Sequence, residues 1–211
     1  MNAMKRFILY GLIVLGLAAC KKDEPEVATK TVLLQNDAYV QGGNHTFVGA
    51  ANAGDEGAVT LGPVTNNFQI THIMFMWGGT GNNPVASDVI VKIYEDNGAI
   101  NPGSLLFSQS FQVLSSLTAI HNLDISGNNV QVDGGKRIRV SVESPHASFP
   151  GLAEETDGVY DNTKNWIKEN GTWKSNDGLG LDGNWVIRAQ VEEEVKDLSR
   201  HCTGDGKPVA I

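Results

Sequence analysis

Aromatic and polar side chains that could bind a sugar are concentrated in the last third of the chain. Trp166, Trp173 and Trp185 fall within twenty residues of one another. Flat indole faces stack on the apolar face of a sugar ring, while amide and hydroxyl groups bond to its hydroxyls. We therefore predict a ligand-binding surface that contains two of the tryptophans and three polar neighbours: Trp166, Trp173, Tyr160, Asn162 and Asn165. The alternative is that the tryptophans fill a hydrophobic core.

The spacing of Trp166 and Trp173 predicts that their side chains share one face of a hairpin. Between them, Asn170-Gly171 fits a two-residue type I′ turn. In that hairpin Trp166 lies opposite Ser175 and Trp173 lies opposite Lys168, so the two indoles are diagonal neighbours.

Two nearby segments are rich in carboxylates and amides, at 154–162 and 176–183. Calcium binds six to eight hard oxygens, which Asp, Asn and backbone carbonyls in loops can supply. Neither segment has the spacing of an EF-hand. We predict Asp157 and Asp161 as the ligands of a calcium ion, the alternative being that these are solvated turns.

Signs of catalysis are weak. The chain contains no Gly-x-Ser-x-Gly, no phosphate-binding loop and no His-Glu-x-x-His. His201 and Cys202 are adjacent, but neighbours in an extended chain point to opposite faces, which disfavours a nucleophile and base pair. We expect a non-catalytic protein, and the alternative is a glycosidase-like hydrolase that uses two carboxylates.

The elements that must position these residues are strands. Wherever apolar residues repeat, they alternate with polar ones, as in 137–143, where Ile138, Val140 and Val142 are predicted to face inward and the residues between them to face water. A similar alternation runs from residue 185 to 191 and places the side chain of Trp185 on the inward face, which favours a core position for that residue. Turn sequences such as Asp133-Gly134 separate the segments. The sequence predicts an all-β fold, an antiparallel β-sandwich or jelly roll.

The N-terminus has the order of a secretory signal: the basic residues Lys5 and Arg6, an apolar run from residue 7 to 19, and then Cys20. The last four residues of this segment, Leu-Ala-Ala-Cys, resemble a bacterial lipobox. The resemblance implies cleavage before Cys20, which would carry acyl chains that anchor the protein to a bilayer. The alternatives are an ordinary signal peptide with a cysteine near its end, or an uncleaved anchor. Lys21 follows where the enterobacterial inner-membrane retention signal has Asp, which favours the outer membrane or cell surface in a Gram-negative cell.

Four regions follow from these observations: a lipoprotein signal peptide (1–19), a flexible tether (20–30), the β-sandwich domain (31–195) and a flexible tail (196–211). The tether could extend about 35 to 40 Å. After Val191, acids precede bases from Glu192 to Arg200, which suits a short, marginal helix.

Several motifs resemble a β-sandwich module that recurs in secreted and surface proteins of bacteria. They are Val91–Gly98, Pro102–Leu106, Gly151–Ala153, Gly171–Trp173 and Gly183–Ala189. The resemblance implies the fold and a non-catalytic role, and names no reaction.

Charge narrows the range of partners. The chain has 16 Lys and Arg against 24 Asp and Glu, with a formal net charge of −8. An acidic chain without a basic cluster does not bind nucleic acid by the usual neutralisation of phosphates. The sequence thus predicts a membrane-anchored, extracytoplasmic lipoprotein that binds or adheres, with a glycan as the leading ligand. A structural or assembly role, with a protein partner, is the other alternative.

Overall fold

The structure is a computed structural model that describes residues 28–195. Cys20, the predicted signal, most of the predicted tether and the predicted tail lie outside these residues. The described part contains fourteen strands: β1 Ala28–Gln35, β2 His45–Ala50, β3 Glu56–Leu61, β4 Phe68–Gly78, β5 Ala86–Asp96, β6 Leu105–Leu114, β7 Ile120–Asp124, β8 Val130–Val132, β9 Arg137–Glu143, β10 Ser148–Glu155, β11 Asn165–Glu169, β12 Thr172–Ser175, β13 Asn184–Trp185 and β14 Ile187–Val195. Two short 3-10 helices span Ser126–Asn128 and Asn176–Leu179. None of the helices described has the length and apolar character needed to cross a membrane.

The strands form two antiparallel sheets that pack face to face. The first has eight strands, with β1-β14-β4-β10-β13 as its main path, β2 also paired with β10, and β7 and β8 paired with β4. The second has six strands in the order β12-β11-β3-β9-β5-β6. This arrangement confirms the predicted all-β sandwich.

A continuous apolar core lies between the sheets. It includes Phe75 and Trp77 from β4, Val91 from β5, Val140 from β9 and Trp185 from β13, all at most 1% exposed. Residues spaced by two reach the same face of a strand, which is why the alternation in the sequence builds this layer. The core position expected for Trp185 is confirmed.

The prediction that the polar residues of β9 face water is wrong. Ile138, Val140 and Val142 do point into the core, but Arg139 and Ser141 on the opposite face are 0% exposed. The outer face of the six-stranded sheet is covered, because Arg139 donates to the carbonyls of Ala99 and Ile100 in the loop that follows β5. A period of two identifies the two faces of a strand and says nothing about what covers the second.

Two boundaries differ from the predicted ones. β1 begins at Ala28, so residues 28–30, which were expected in the tether, belong to the sheet. β14 continues to Val195 instead of ending in a short helix after Val191. The reason is long-range pairing: Ala28 lies opposite Val195, and the ladder continues to Gln35 opposite Arg188.

The predicted hairpin is confirmed in detail. Asn170 and Gly171 have φ of 49° and 79°, the two positive values that a type I′ turn requires. Trp166 pairs with Ser175 and Lys168 pairs with Trp173. The two indoles therefore lie on one face, which is the outer face of the six-stranded sheet.

Candidate functional site

The two tryptophans predicted to form a stacking surface are buried. Trp166 is 6% exposed and Trp173 is 8% exposed. The Trp166 Nε1 donates to Thr60 Oγ1 at 2.9 Å, and the Trp173 ring packs edge-on against Tyr94, with centroids 6.0 Å apart. Their faces are covered by protein, so the expected exposed platform is not present at these positions.

Trp166 is covered by a buried guanidinium. Arg139 Cζ lies 4.1 Å from the centre of the Trp166 ring, a distance at which a cation is attracted to the aromatic face. Arg139 also pairs with Asp96, whose carboxylate receives hydrogen bonds from Arg139, from the Gly98 amide and from Thr60. Burial alone would raise the pKa of Asp96, but these hydrogen bonds outweigh it and lower that pKa. Arg139 thus occupies the aromatic face that a ligand would need.

A second ionic cluster lies on the same outer face, centred on Glu56. The Glu56 Oε1 accepts from Lys92 Nζ and Lys168 Nζ at 2.7 Å each, and Oε2 accepts from Ser141. Burial would raise the pKa of Glu56, yet the bonds from Lys168, Lys92 and Ser141 lower it overall. Lys92 also pairs with Glu143. Each charge is matched, which makes this cluster a stabilising network of the sheet.

The three polar residues predicted to bind ligand have different roles. Asn165 is 0% exposed; its Nδ2 donates to the Asp161 carbonyl and to Asn184 Oδ1, and its Oδ1 accepts from the Trp185 amide, so it ties three segments together. Asn162 is exposed and donates to Asp177 at 3.1 Å. The Tyr160 hydroxyl is buried without a hydrogen-bond partner among the described residues, and burial raises its pKa.

The two carboxylates predicted to bind calcium are held by separate protein partners. Asp157 accepts from the amide and the side chain of Asn44, at 3.0 and 2.8 Å. Asp161 accepts from Thr163 and pairs with Lys164 at 3.1 Å. Within residues 28–195, no group of three or more His, Cys, Asp or Glu side chains is arranged to hold a metal ion. The structure does not assemble the expected calcium site on these two residues.

An open cleft lies between the two sheets. It lies between β2 and β10 of the eight-stranded sheet and β3 and β11 of the six-stranded sheet, and its volume is about 220 Å³. The lining is mainly apolar, from Trp77, Leu152, Ile167, Leu179, Leu181 and Trp185. Leu179, in the second 3-10 helix, is 40% exposed. Apolar lining open to solvent is the general character of a small-ligand site.

Trp185 supports the inner end of the cleft, where it is 1% exposed and held in one orientation. Its Nε1 donates to the Trp166 carbonyl and to Asn176 Oδ1, both at 3.0 Å. Gly57 packs closely beside it: a Cβ there would lie 2.6 Å from Leu152 Cδ2 and 3.3 Å from the Trp185 ring. The indole cannot turn out of the cleft without breaking both hydrogen bonds.

Three acidic residues are among the lining, Asp55, Glu56 and Glu169, but the Glu56 side chain is fully buried in the cluster on the outer face, so Asp55 and Glu169 supply the carboxylates of the cleft. Asp55 accepts from the amides of Asn52 and Asn170 at 2.8 and 3.0 Å, and Glu169 pairs with Lys174 at 2.7 Å. Ionised carboxylates only accept hydrogen bonds, and each oxygen has more than one acceptor site. The cleft therefore presents apolar surface together with acceptors for hydroxyl or amine donors.

Sequence reasoning did not identify this site. Trp77 is in an apolar strand, and Leu152 and Ile167 have the pattern of ordinary core residues. Asp55 and Glu169 are 114 positions apart in the numbering and meet only because β3 pairs with β11. No motif links these residues, so only the pairing of the strands shows that they line one cleft.

Comparisons with known proteins show similarity of fold. A scan against protein-family models finds no match, and a search of curated proteins finds none. A solved structure of Cwp84, a clostridial cysteine protease, after propeptide cleavage superposes with a TM-score of 0.54 at 15% identity, over 77% of this chain and 40% of that chain. A second structure contains the cysteine protease and lectin-like domains of Cwp84, a surface layer associated protein of Clostridium difficile. It superposes with a TM-score of 0.48 at 17% identity, over 66% of this chain and 32% of that chain. This chain thus spans less than half of either structure, and at these identities the likeness concerns the fold alone.

Proposed function

We propose that this chain is a non-catalytic, extracytoplasmic binding or adhesion protein that takes one sugar ring of a glycan into the cleft between its sheets. The observation that carries the proposal is the open, mainly apolar cleft, with Leu179 exposed in its lining and the acidic residues Asp55 and Glu169 beside it. Pyranose rings combine an apolar face with hydroxyl donors, which is the chemistry that this lining complements.

The dimensions of the cleft support a small occupant. Pockets that enclose a drug-sized ligand have volumes of about 300 to 1,000 Å³. The cleft, at about 220 Å³, is smaller and accommodates a single ring, with the rest of a chain outside. Asp55 and Glu169 disfavour an anionic sugar, since like charges repel. The expected ligand is a neutral or amino sugar unit at the end or edge of a glycan.

The lining also favours binding over hydrolysis. A glycosidase needs one carboxylic acid whose pKa is raised so that it can protonate the leaving group. Glu56 has a lowered pKa and is held by Lys92 and Lys168, while Asp55 holds two backbone amides. Both carboxylates are already bound by protein donors, and Asp55 keeps further acceptor sites for a ligand hydroxyl.

Anchoring through Cys20 is a separate part of the proposal and is supported by the sequence alone. The basic start, the apolar run and the Leu-Ala-Ala-Cys ending give the order of a lipoprotein signal. Labelled palmitate and membrane fractionation in a bacterial host test this part. We expect label and membrane recovery for the natural chain and neither for Cys20→Ala, and label retained by Cys20→Ala would refute it.

A glycan array tests the cleft. Ala51 lines the cleft and is exposed, so Ala51→Trp fills it without changing the core. Ala119→Trp is the matched control, because Ala119 is an exposed loop residue outside the cleft lining. We expect the natural chain and Ala119→Trp to bind the same glycans and Ala51→Trp to lose them. If the natural chain binds no glycan, or if Ala51→Trp still binds, the proposed site is refuted.

A further inference from the structure

One edge of the six-stranded sheet is formed by an unusual strand. β6, Leu105–Leu114, pairs with β5 on one side, and no other strand among residues 28–195 pairs with its second side. It is ten residues long and contains no charged residue and no proline. Leu105 and Leu114, at its ends, are 54% and 55% exposed.

Natural sheets usually protect such edges. Charged side chains, prolines, short strands and bulges prevent a free row of N–H and C=O groups from pairing with another chain. The terminal strands β1 and β12 follow this rule: β1 carries Lys30, and β12 has four residues, including Lys174. In β6 the single irregularity of register lies at Leu106, which leaves the rest of the strand regular. This edge lacks the usual protection.

The sequence of β6 identifies the partner. Its centre reads Phe107-Ser108-Gln109-Ser110-Phe111, which is the same in both directions about Gln109. Two copies related by a two-fold axis through Gln109 would pair antiparallel, since a two-fold axis brings the same surface of each copy together. Gln109 would then face Gln109 of the second copy, Ser108 would face Ser110, and Phe107 would face Phe111.

Residues on either side of the palindromic segment 107–111 are also compatible with this register. Leu105 would face Val113 of the second copy, an apolar pair, and like faces would match along the ladder. No charge is placed opposite a like charge, because β6 has none. We propose that β6 is a self-association edge, through which two copies of this chain join their six-stranded sheets into one continuous antiparallel sheet.

This surface is independent of the cleft. The cleft is lined from β2, β3, β10 and β11, whereas β6 lies at the opposite edge of the six-stranded sheet from β11 and β12. A self-associating edge would join two binding sites in one particle, which strengthens attachment to a multivalent surface by raising the effective concentration of the second site.

Disulfide trapping tests the register. In the full chain in detergent, with Cys20 and Cys202 replaced by serine, Gln109→Cys would place two thiols directly opposite each other. The Cα atoms of facing residues in an antiparallel pair are about 4.5 to 5.5 Å apart, within disulfide range. Gln112→Cys is the matched control: it is equally an exposed glutamine of β6, but its two copies would be about 20 Å apart.

We expect mild oxidation to give a disulfide-linked dimer with Gln109→Cys and none with Gln112→Cys. Light scattering of the natural chain should show a dimer at high concentration, and Gln109→Lys, which sets two lysines opposite each other, should give a monomer. A monomeric natural chain, equal trapping of both cysteine variants, or no trapping of either would overturn the proposal. Because Gln109→Cys leaves the cleft unchanged, glycan binding can succeed or fail separately.

Discussion

Replacing Asp96 by asparagine removes one charge of a buried ion pair and keeps nearly the same side-chain size and shape. The side chains of Asp96 and Arg139 are both 0% exposed, with Arg139 Nε 3.3 Å from Asp96 Oδ2. In the variant the Arg139 guanidinium keeps two backbone acceptors, the carbonyls of Ala99 and Ile100 at 2.7 Å, and the face of Trp166. It loses its only described carboxylate partner.

The expected cost follows from that geometry. Removing one partner of a buried ion pair costs about 3 to 5 kcal/mol, because the other charge is left uncompensated. Asparagine keeps one carbonyl oxygen, and the two backbone acceptors remain, so we expect about 3 kcal/mol at neutral pH. For a domain of this size that loss corresponds to a fall in Tm of about 6 to 12 °C.

The loss should depend on pH in a defined direction. The pKa of Asp96 is lowered in the folded protein: burial opposes this, but bonds from Thr60, the Gly98 amide and Arg139 outweigh it. A lowered pKa contributes stability that is present above the ordinary aspartate value of about 3.9 and disappears as the pH falls through the folded value. The difference between the natural chain and Asp96→Asn should therefore be full at pH 7 and shrink below about pH 4.

Urea denaturation followed by tryptophan fluorescence measures this difference, since Trp166 packs on Arg139. Asp88→Asn is the matched control, because Asp88 is an exposed aspartate of the same strand, β5, and its replacement should leave the midpoint unchanged. A cost below about 1 kcal/mol at pH 7, or a difference that stays constant down to pH 2, would refute the reasoning.

Two further stability predictions concern a turn and a buried acid. Gly171→Ala should lower the free energy of unfolding by about 1 kcal/mol, because Gly171 has a φ of 79°, which an alanine adopts only with strain. Gly178→Ala is the control: this glycine is equally uncrowded but has no positive φ, so its replacement should leave stability unchanged in the same urea assay. Equal effects of the two replacements would contradict the turn assignment. The pKa of Glu154 is raised by its burial and by Asp182, so above the ordinary glutamate value of about 4.3 its charge opposes folding. Glu154→Gln should consequently raise the urea midpoint at pH 8 and have little effect below about pH 4, and a lower midpoint at pH 8 would count against this account.

Features set by neighbours in the chain could be predicted from the sequence. The period of two in β9 and β14 identifies the residues that face the core, because successive side chains in a strand point to opposite sides. Asn170-Gly171 specifies its own turn, since both residues tolerate positive φ. The turn then sets the register that places Trp166 and Trp173 on one face.

What covers that face was decided by tertiary structure. Arg139 and Trp166 are 27 positions apart, and they stack because β3 lies between β9 and β11 and because the loop after β5 folds over them. A sequence pattern distinguishes two faces of a strand, but burial of the second face depends on segments distant in the chain. For that reason a pair of tryptophans that suggested a binding platform proved to be packing.

The cleft, too, depends on contacts between segments that are distant in the chain. Residue types alone correctly indicated an acidic chain with an all-β sandwich, and they placed Trp185 inward. They could not show that Trp185, Leu179 and Asp55 line one opening, because the lining of that opening comes from both sheets. Local patterns determined the strands and turns of this protein, whereas the cleft was decided by the packing of the sheets, which brings distant residues together.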